Sequence, residues 1–262
     1  MRLAVLGDPV EHSLSPLLHT TALRHCGLAG TFEAIQVDRS GMEQAIAEIG
    51  RGELDGANVT MPHKRMAYEL CAHLTSDADR TGAVNTLVRV AGEVVGHNTD
   101  IQGVRNAWVW AGLPDHTPVV VYGAGGAAAA ALVALDGRRV TVRARSDARA
   151  EALTSQIGVG SVGPWGPPEP GSVLLNATPI GMQGESFPAG WLDDVAGVFD
   201  MAYAAEQTPT ARQAVVAGVP VVSGPDMLLG QAIVSFWLWT GRKAPIDAMR
   251  RVLAAVRQSP IT

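Results

Sequence analysis

The feature that most constrains this 262-residue chain is a junction near its middle. Pro118 to Tyr122 is an unbroken apolar run, as expected of a strand buried on both faces. It leads directly into Gly123-Ala124-Gly125-Gly126-Ala127-Ala128, then into more alanines, Leu132 and Val133, a helix-forming stretch. The pattern is G-x-G-x-x-A, placed between a strand and a helix. There Gly123 makes the tight turn, Gly125 lets a pyrophosphate approach the backbone, and Ala128 lets helix and strand pack closely. The helix N-terminus favours the phosphate charge. Arg139 to Val142 and Asp147 to Ile157 supply the next strand and helix, completing a βαβ unit.

The residue that reads the ribose should lie about 20 positions beyond the first glycine, acidic for NAD and basic for NADP. Arg145 stands 22 positions on, followed by Ser146, with Arg149 one turn later. A guanidinium suits a 2′-phosphate because it offers paired, charge-assisted hydrogen bonds. The spacing therefore favours NADP.

Strand and helix patterns alternate along the rest of the chain. Arg2–Leu6, Thr31–Val37 and Gly56–Thr60 read as strands, and Ala83–Val90 with Glu93–Gly96 as a hairpin about Ala91-Gly92. Ser15-Pro16 reads as an N-cap and first helical position, and Ser40 with Glu43 as a capping box. Pro62 is expected to open a helix running to about Leu74, and a helix is expected over 101–111. Ser172–Leu175, Gly197–Met201 and Val219–Val222 are further parallel strands, with Gly163–Gly171 an exposed loop between elements. Two helices, 226–241 and 244–258, close the chain. The class is α/β with mostly parallel sheets: an N-terminal α/β domain over 1–101, a Rossmann-type domain over 102–225, and C-terminal helices over 226–262 returning to the first domain.

Composition narrows the functions open to such a chain. Twenty basic against 25 acidic residues, without charge blocks, leave no footprint for nucleic acid or an anionic membrane. Cys26 and Cys71 lie far apart in no metal-ligand spacing, so a metal site is not expected and a reducing compartment is. The apolar start ends at Asp8 and Glu11, too short for a signal peptide, and 227–240 is too short to cross a bilayer. A cytoplasmic enzyme acting on a small molecule is the expectation.

A nicotinamide cofactor needs a partner group that moves protons. Asn58-Val59-Thr60-Met61-Pro62-His63-Lys64 places polar residues at a strand end and a lysine in the first helical turn. Asn98-Thr99-Asp100 opens another helix. A lysine and an aspartate together can relay a hydroxyl proton, the carboxylate supporting the ammonium. The plainer reading of the pair is a surface lysine and an N-capping aspartate.

These residues, taken with others in the same order, resemble the shikimate dehydrogenase family nearly end to end. His12-Ser13-Leu14-Ser15-Pro16 resembles H-S-x-S-P, and the segment from Asn58 to Lys64 resembles N-V-T-x-P-x-K. Gly82-Ala83-Val84-Asn85-Thr86 and Asn98-Thr99-Asp100 with Gly103 are similar to G-A-V-N-T and N-T-D-x-x-G. The second half adds Asn176-Ala177-Thr178-Pro179-Ile180-Gly181-Met182, Asp200 with Tyr203, and Gly224 with Met227, Leu228 and Gln231.

The resemblance implies NADPH-dependent, reversible reduction of 3-dehydroshikimate to shikimate, a step of chorismate and aromatic amino acid biosynthesis, in a cleft between the two domains. It makes Lys64 and Asp100 the catalytic pair and assigns the substrate to Ser13, Ser15, Thr60, Asn85, Tyr203 and Gln231. It assigns NADP to Gly123, Ala124, Gly125, Gly126, Ala127, Arg145, Ser146, Arg149, Thr178, Met201 and Gly224. A monomer or homodimer is implied. The chain departs from the family in reading Ala144-Arg145-Ser146 where Asn-Arg-Thr is common, and in lacking an arginine within Ala127 to Ala131. Two alternatives stay open: an NAD-using quinate/shikimate dehydrogenase with the same substrate motifs, and a non-catalytic dinucleotide sensor on the same fold.

Overall fold

The computed structural model describes residues 1–202 and 207–258. The chain divides into two compact units, Met1–Thr99 with Gln231–Thr262, and Asp100–Gly230.

The first unit contains β1 (Arg2–Gly7), α1 (Ser15–His25), β2 (Thr31–Gln36), α2 (Arg39–Arg51), β3 (Gly56–Val59), α3 (Lys64–Leu70), β4 (His73–Leu74), α4 (Ser76–Thr81), β5 (Thr86–Val90) and β6 (Glu93–His97). They form a six-stranded sheet in the order β2-β1-β3-β5-β6-β4. Pairing is parallel from β2 to β3, antiparallel through β5 and β6, and parallel again at β4. The unbroken apolar run of β1 has its expected cause, because both faces of the strand are covered. Ala4 and Leu6 pack with Met42 and Ile49 of α2, while Leu3 and Val5 cluster with Phe32 on the other face.

The second unit contains α5 (Asp100–Trp110), β7 (Val119–Tyr122), α6 (Gly126–Ala134), β8 (Val140–Arg143), α7 (Asp147–Ile157), β9 (Ser161–Val162), β10 (Val173–Asn176), β11 (Gly197–Asp200), α8 (Pro209–Ala217), β12 (Val221–Val222) and the start of α9 (Gly224–Thr240). The remainder of α9 and α10 (Ile246–Gln258) belong to the first unit. The second sheet is all parallel, in the order β12-β11-β10-β7-β8-β9, which is the doubly wound Rossmann order 6-5-4-1-2-3. Val119 and Val121 of β7 pack with α5, α6 and α7, and Val120 and Tyr122 pack toward Phe187, Leu192 and Ala214.

Several local expectations are corrected. Leu14, not Ser15, precedes the first turn of α1; Ser15 is its first residue, and its N–H donates to Ser13 Oγ at 3.3 Å. Asp38 rather than Ser40 caps α2, accepting from Gly41 N at 2.8 Å, because a carboxylate is the stronger acceptor at a helix N-terminus. The helix after Pro62 stops at Leu70. Cys71 is extended, His73–Leu74 pairs with β6, and Thr75 caps a separate helix with Asp77 and Asp79 in its first turn. The Gly163–Gly171 loop is largely exposed, as expected, and is tied down at its middle. Arg143 donates to the Pro167 carbonyl and, at 2.6 Å, to Glu169, while Trp165 packs edge-on against Tyr122 at 5.4 Å. Among the described residues no helix is long and apolar enough to cross a membrane, and no group of three or more His, Cys, Asp or Glu side chains is placed to hold a metal.

Candidate active site

In a doubly wound sheet, ligands bind beyond the carboxyl ends of the strands where the strand order reverses. Here that point lies beyond β7 and β10. Gly123 sits there with φ of +117°, and a Cβ on it would lie 2.7 Å from the Ala177 carbonyl oxygen. No other residue fits that turn without displacing the loop after β10. Gly125 and Gly126 are different: both are exposed, and a Cβ on either would meet nothing. Gly125 precedes α6 without a side-chain cap, so the first N–H groups of a nine-residue helix face this open space. Ala124 and Ala127 are half-buried beside it, and Ala128 to Ala131 are packed inward. A pyrophosphate fits these residues.

The loop after β10 is held from below. Asn176 Oδ1 accepts from Thr178 N at 3.0 Å and Thr178 Oγ1 at 2.6 Å, while its Nδ2 donates to Ile180 O and Asp200 Oδ1. Asp200 also accepts from Thr208 Oγ1 at 2.5 Å and Ala202 N at 3.1 Å. Burial raises the Asp200 carboxyl above the usual range, against the neutral donors that lower it. Met201 follows, its N–H bonded to Asn176 O. Past β8, Arg145 and Arg149 are exposed, and Ser146 caps α7 by accepting from Arg149 N at 3.4 Å. Arg143 turns inward to the pinned loop, leaving Arg145 and Arg149 as the outward arginines of this stretch. Ala144 is buried. Gly224 opens α9, where Asp226 accepts from Ser223 N and Oγ. Sequence reasoning misses Thr208 and the bracing role of Asp200, since a short polar side chain in a loop carries no pattern.

The first unit gathers its polar residues into one buried cluster. Asn58 Nδ2 donates toward Thr86 Oγ1 at 3.0 Å, Ser235 Oγ at 3.1 Å and Asn85 O at 3.3 Å. Asn85 Oδ1 accepts from Thr99 N at 2.7 Å, Thr86 Oγ1 at 3.0 Å and Thr99 Oγ1 at 3.1 Å. Thr99 Oγ1 also lies 3.3 Å from Gln231 Oε1 and 3.1 Å from Ser235 Oγ. Asn85 and Gln231, both expected from sequence, are thus joined through Thr99. Sequence reasoning misses Ser235, although it stands one turn after Gln231 on the same helix face, which is the available signal. Nearby strand and turn positions are fixed by backbone bonds. Thr60 N donates to Leu6 O and His63 N to Thr60 O, while His63 Nε2 lies 2.7 Å from Val37 O. Lys64 follows as the half-buried first residue of α3, its carbonyl accepting from Val84 N. Ser13 and Ser15 lie together at the start of α1. Asp100 is the buried first residue of α5, in the second unit, where a helix N-terminus favours its charge. Tyr203 lies outside the described residues.

Fold and site define a class: a Rossmann-type dinucleotide unit joined to an α/β unit with a buried cluster of amides and hydroxyls. Comparison with known proteins makes it specific. Residues 5–87 match the shikimate dehydrogenase substrate binding domain, and residues 224–254 the shikimate 5′-dehydrogenase C-terminal domain. A shikimate dehydrogenase (NADP(+)) of Thermus thermophilus is 37% identical over 246 residues, covering 92% of this chain and 93% of that protein. The protein of the same name from Desulfitobacterium hafniense is 34% identical over 262 residues, covering 95% and 96%. A crystal structure of shikimate 5-dehydrogenase from Thermus thermophilus in complex with NADP(H) and shikimate superposes with a TM-score of 0.86 at 33% identity, covering 98% of this chain and 99% of that one. The chain belongs to the shikimate dehydrogenase family.

Proposed function

We propose that this chain catalyses the reversible, NADPH-dependent reduction of 3-dehydroshikimate to shikimate. The observation that carries the reading is the buried cluster of Asn58, Asn85, Thr86, Thr99, Gln231 and Ser235, in which motifs as far apart as Asn58 and Ser235 meet as a set of polar groups suited to a polyhydroxylated ring. Residues 1–101 with 226–262 serve as the substrate domain, and 102–225 as the cofactor domain.

NADPH, when bound, supplies the hydride that reaches the carbonyl carbon. The backbone at Gly123, Ala124, Gly125, Gly126 and Ala127 takes the pyrophosphate. Arg145, Ser146 and Arg149 take the 2′-phosphate, and Thr178, Met201 and Gly224 line the nicotinamide side. Lys64 Nζ gives a proton to the carbonyl oxygen as it becomes a hydroxyl, and takes it back in the reverse direction. Asp100 supports that ammonium and holds a substrate hydroxyl. Ser13 and Ser15 donate to the substrate carboxylate, a charge-assisted contact. Thr60, Asn85, Tyr203 and Gln231 hold the ring hydroxyls.

The test is a kinetic matrix of shikimate and quinate against NADP and NAD, read at the nicotinamide absorbance band. Shikimate with NADP should give the highest kcat/KM. Equal use of NAD would replace this reading with the quinate/shikimate alternative, and cofactor binding without turnover would leave a sensor.

A further inference from the structure

The first unit contains a buried titratable side chain that the proposed chemistry does not use. His19 lies on α1, one turn beyond Ser15, and is fully buried. Its ring stacks on Phe32 with centroids 4.5 Å apart and an interplanar angle of 15°, and meets the edge of Trp239 at 5.1 Å. Trp239 is itself fixed, donating from Nε1 to Leu87 O at 3.0 Å over Gly56, where a Cβ would collide with that nitrogen. Aromatic packing on two sides therefore sets the imidazole plane.

Both His19 ring nitrogens are buried without a hydrogen-bond partner, and so is Asn58 Oδ1. Asn58 is the polar side chain that acts on the ring. Burial of a polar atom without a partner is costly, so two such groups side by side are an unusual expense unless they serve each other. The other half of the Asn58 amide is committed, since Nδ2 faces three acceptors in the cluster. A flipped amide would turn its oxygen toward Asn85 O and place no donor on the cluster.

We propose that His19 is a positioning residue: a neutral ring N–H donates to Asn58 Oδ1 and fixes the orientation of the amide on which the Thr86, Ser235 and Asn85 contacts depend. The inference rests on the proposed function for its consequence, because Asn85 and Gln231 are the members of this cluster assigned to the substrate. It also gives α1, whose start carries Ser13 and Ser15, a polar tie to β3, which ends just before Thr60. Burial holds the ring pKa down to about 3, which keeps the imidazole neutral at physiological pH and able to use one nitrogen as a donor.

The experiment compares His19→Phe, which keeps the aromatic stack and removes the donor, with His19→Gln, which restores an N–H. His19→Phe should raise KM for shikimate about 5- to 10-fold, the worth of one hydrogen bond, while KM for NADP stays within about twofold. His19→Gln should recover part of the loss. In an Asn58→Leu background His19→Phe should add nothing, as expected for a coupled pair. Additive effects, or a drop in melting temperature with unchanged KM, would overturn the proposal. A wild type inactive with shikimate and NADP would instead sink the functional reading. The side-chain amide resonances of Asn58 decide the inference independently: they should shift in His19→Phe and return in His19→Gln, and resonances indifferent to both variants would refute it.

Discussion

At the scale of single residues, the sequence is most informative where chemistry demands one residue type at one spacing. Gly123 is legible because only glycine accepts its backbone angle and its approach to Ala177 O. Arg145 is singled out because the ribose-reading position is expected at a fixed distance from that turn, and it lies exposed past β8. Replacing Arg145 by alanine should therefore raise KM for NADP about 10-fold and leave NAD almost unchanged. One charge-assisted contact of about 1.5–3 kcal/mol is removed, and Arg149 retains part of the role. Steady-state kinetics with both cofactors at fixed ionic strength check this, and equal losses for the two would mean that Arg145 shapes the turn rather than reading the phosphate. Lys64→Ala should lower kcat by about 10²–10⁴-fold with NADP affinity preserved, which a pre-steady-state assay and cofactor titration separate. Residues such as His19, Ser235 and Thr208 are not legible in this way. Their roles come from neighbours brought together by folding, and no local spacing encodes the meeting of Asn58 with Ser235.

At the scale of elements, the doubly wound unit reads closely from sequence where its strands are continuous apolar runs, as in β7 and β10, and where helices are capped at Gly125 and Ser146. The helix expected over Asp147–Ile157 is the one observed. The stretch from Pro62 to Leu74, by contrast, reads as one helix and is not. Tertiary pairing of His73–Leu74 with β6 outweighs local helix propensity there, and Thr75 restarts a helix. The loop after β10 is the element on which the proposed cofactor site leans most, and Asn176 makes four of the hydrogen bonds that hold it. Asn176→Ala would remove the acceptor for Thr178, the donor to Ile180, and one of the donors to buried Asp200. The expected outcome is a folded protein destabilised by about 1–3 kcal/mol, with KM for NADP rising more than KM for shikimate. Urea unfolding and the two KM values test it. If shikimate binding suffered more, the loop would belong to the substrate side.

At the scale of the whole molecule, the two units carry buried titratable groups of opposite sign, so acid should act on them differently. In the first unit, His19 is held down to about 3 by burial, and burial also lowers His97. The unfolded chain binds a proton at each histidine near about pH 6.5, whereas the folded unit resists it. Their stabilisation is complete above about pH 6.5 and is lost as pH falls toward the folded value. For His19 the loss is about 2–3 kcal/mol on going from about pH 6.5 to about 4.5, at about 1.4 kcal/mol per pH unit per proton. In the second unit Asp200 is shifted upward by burial, so its folded form prefers the proton. Its contribution is present below the ordinary carboxylate range and is lost as pH rises through the folded value, so mild acid favours this unit. Exposed Glu185, lowered by its own backbone N–H and those of Gln183 and Gly181, works the other way but in water, where such contacts are weak. Hydrogen exchange at about pH 7 and about pH 4.5, corrected for intrinsic rates, should therefore show protection falling in β1, β3 and α1 while β10 and β11 hold theirs. His19→Phe should abolish most of the pH response of the first unit, since phenylalanine fills the same stack and binds no proton. Equal loss of protection in both units, or an undiminished response in His19→Phe, would mean that the acid sensitivity arises from surface charge and not from the buried imidazole.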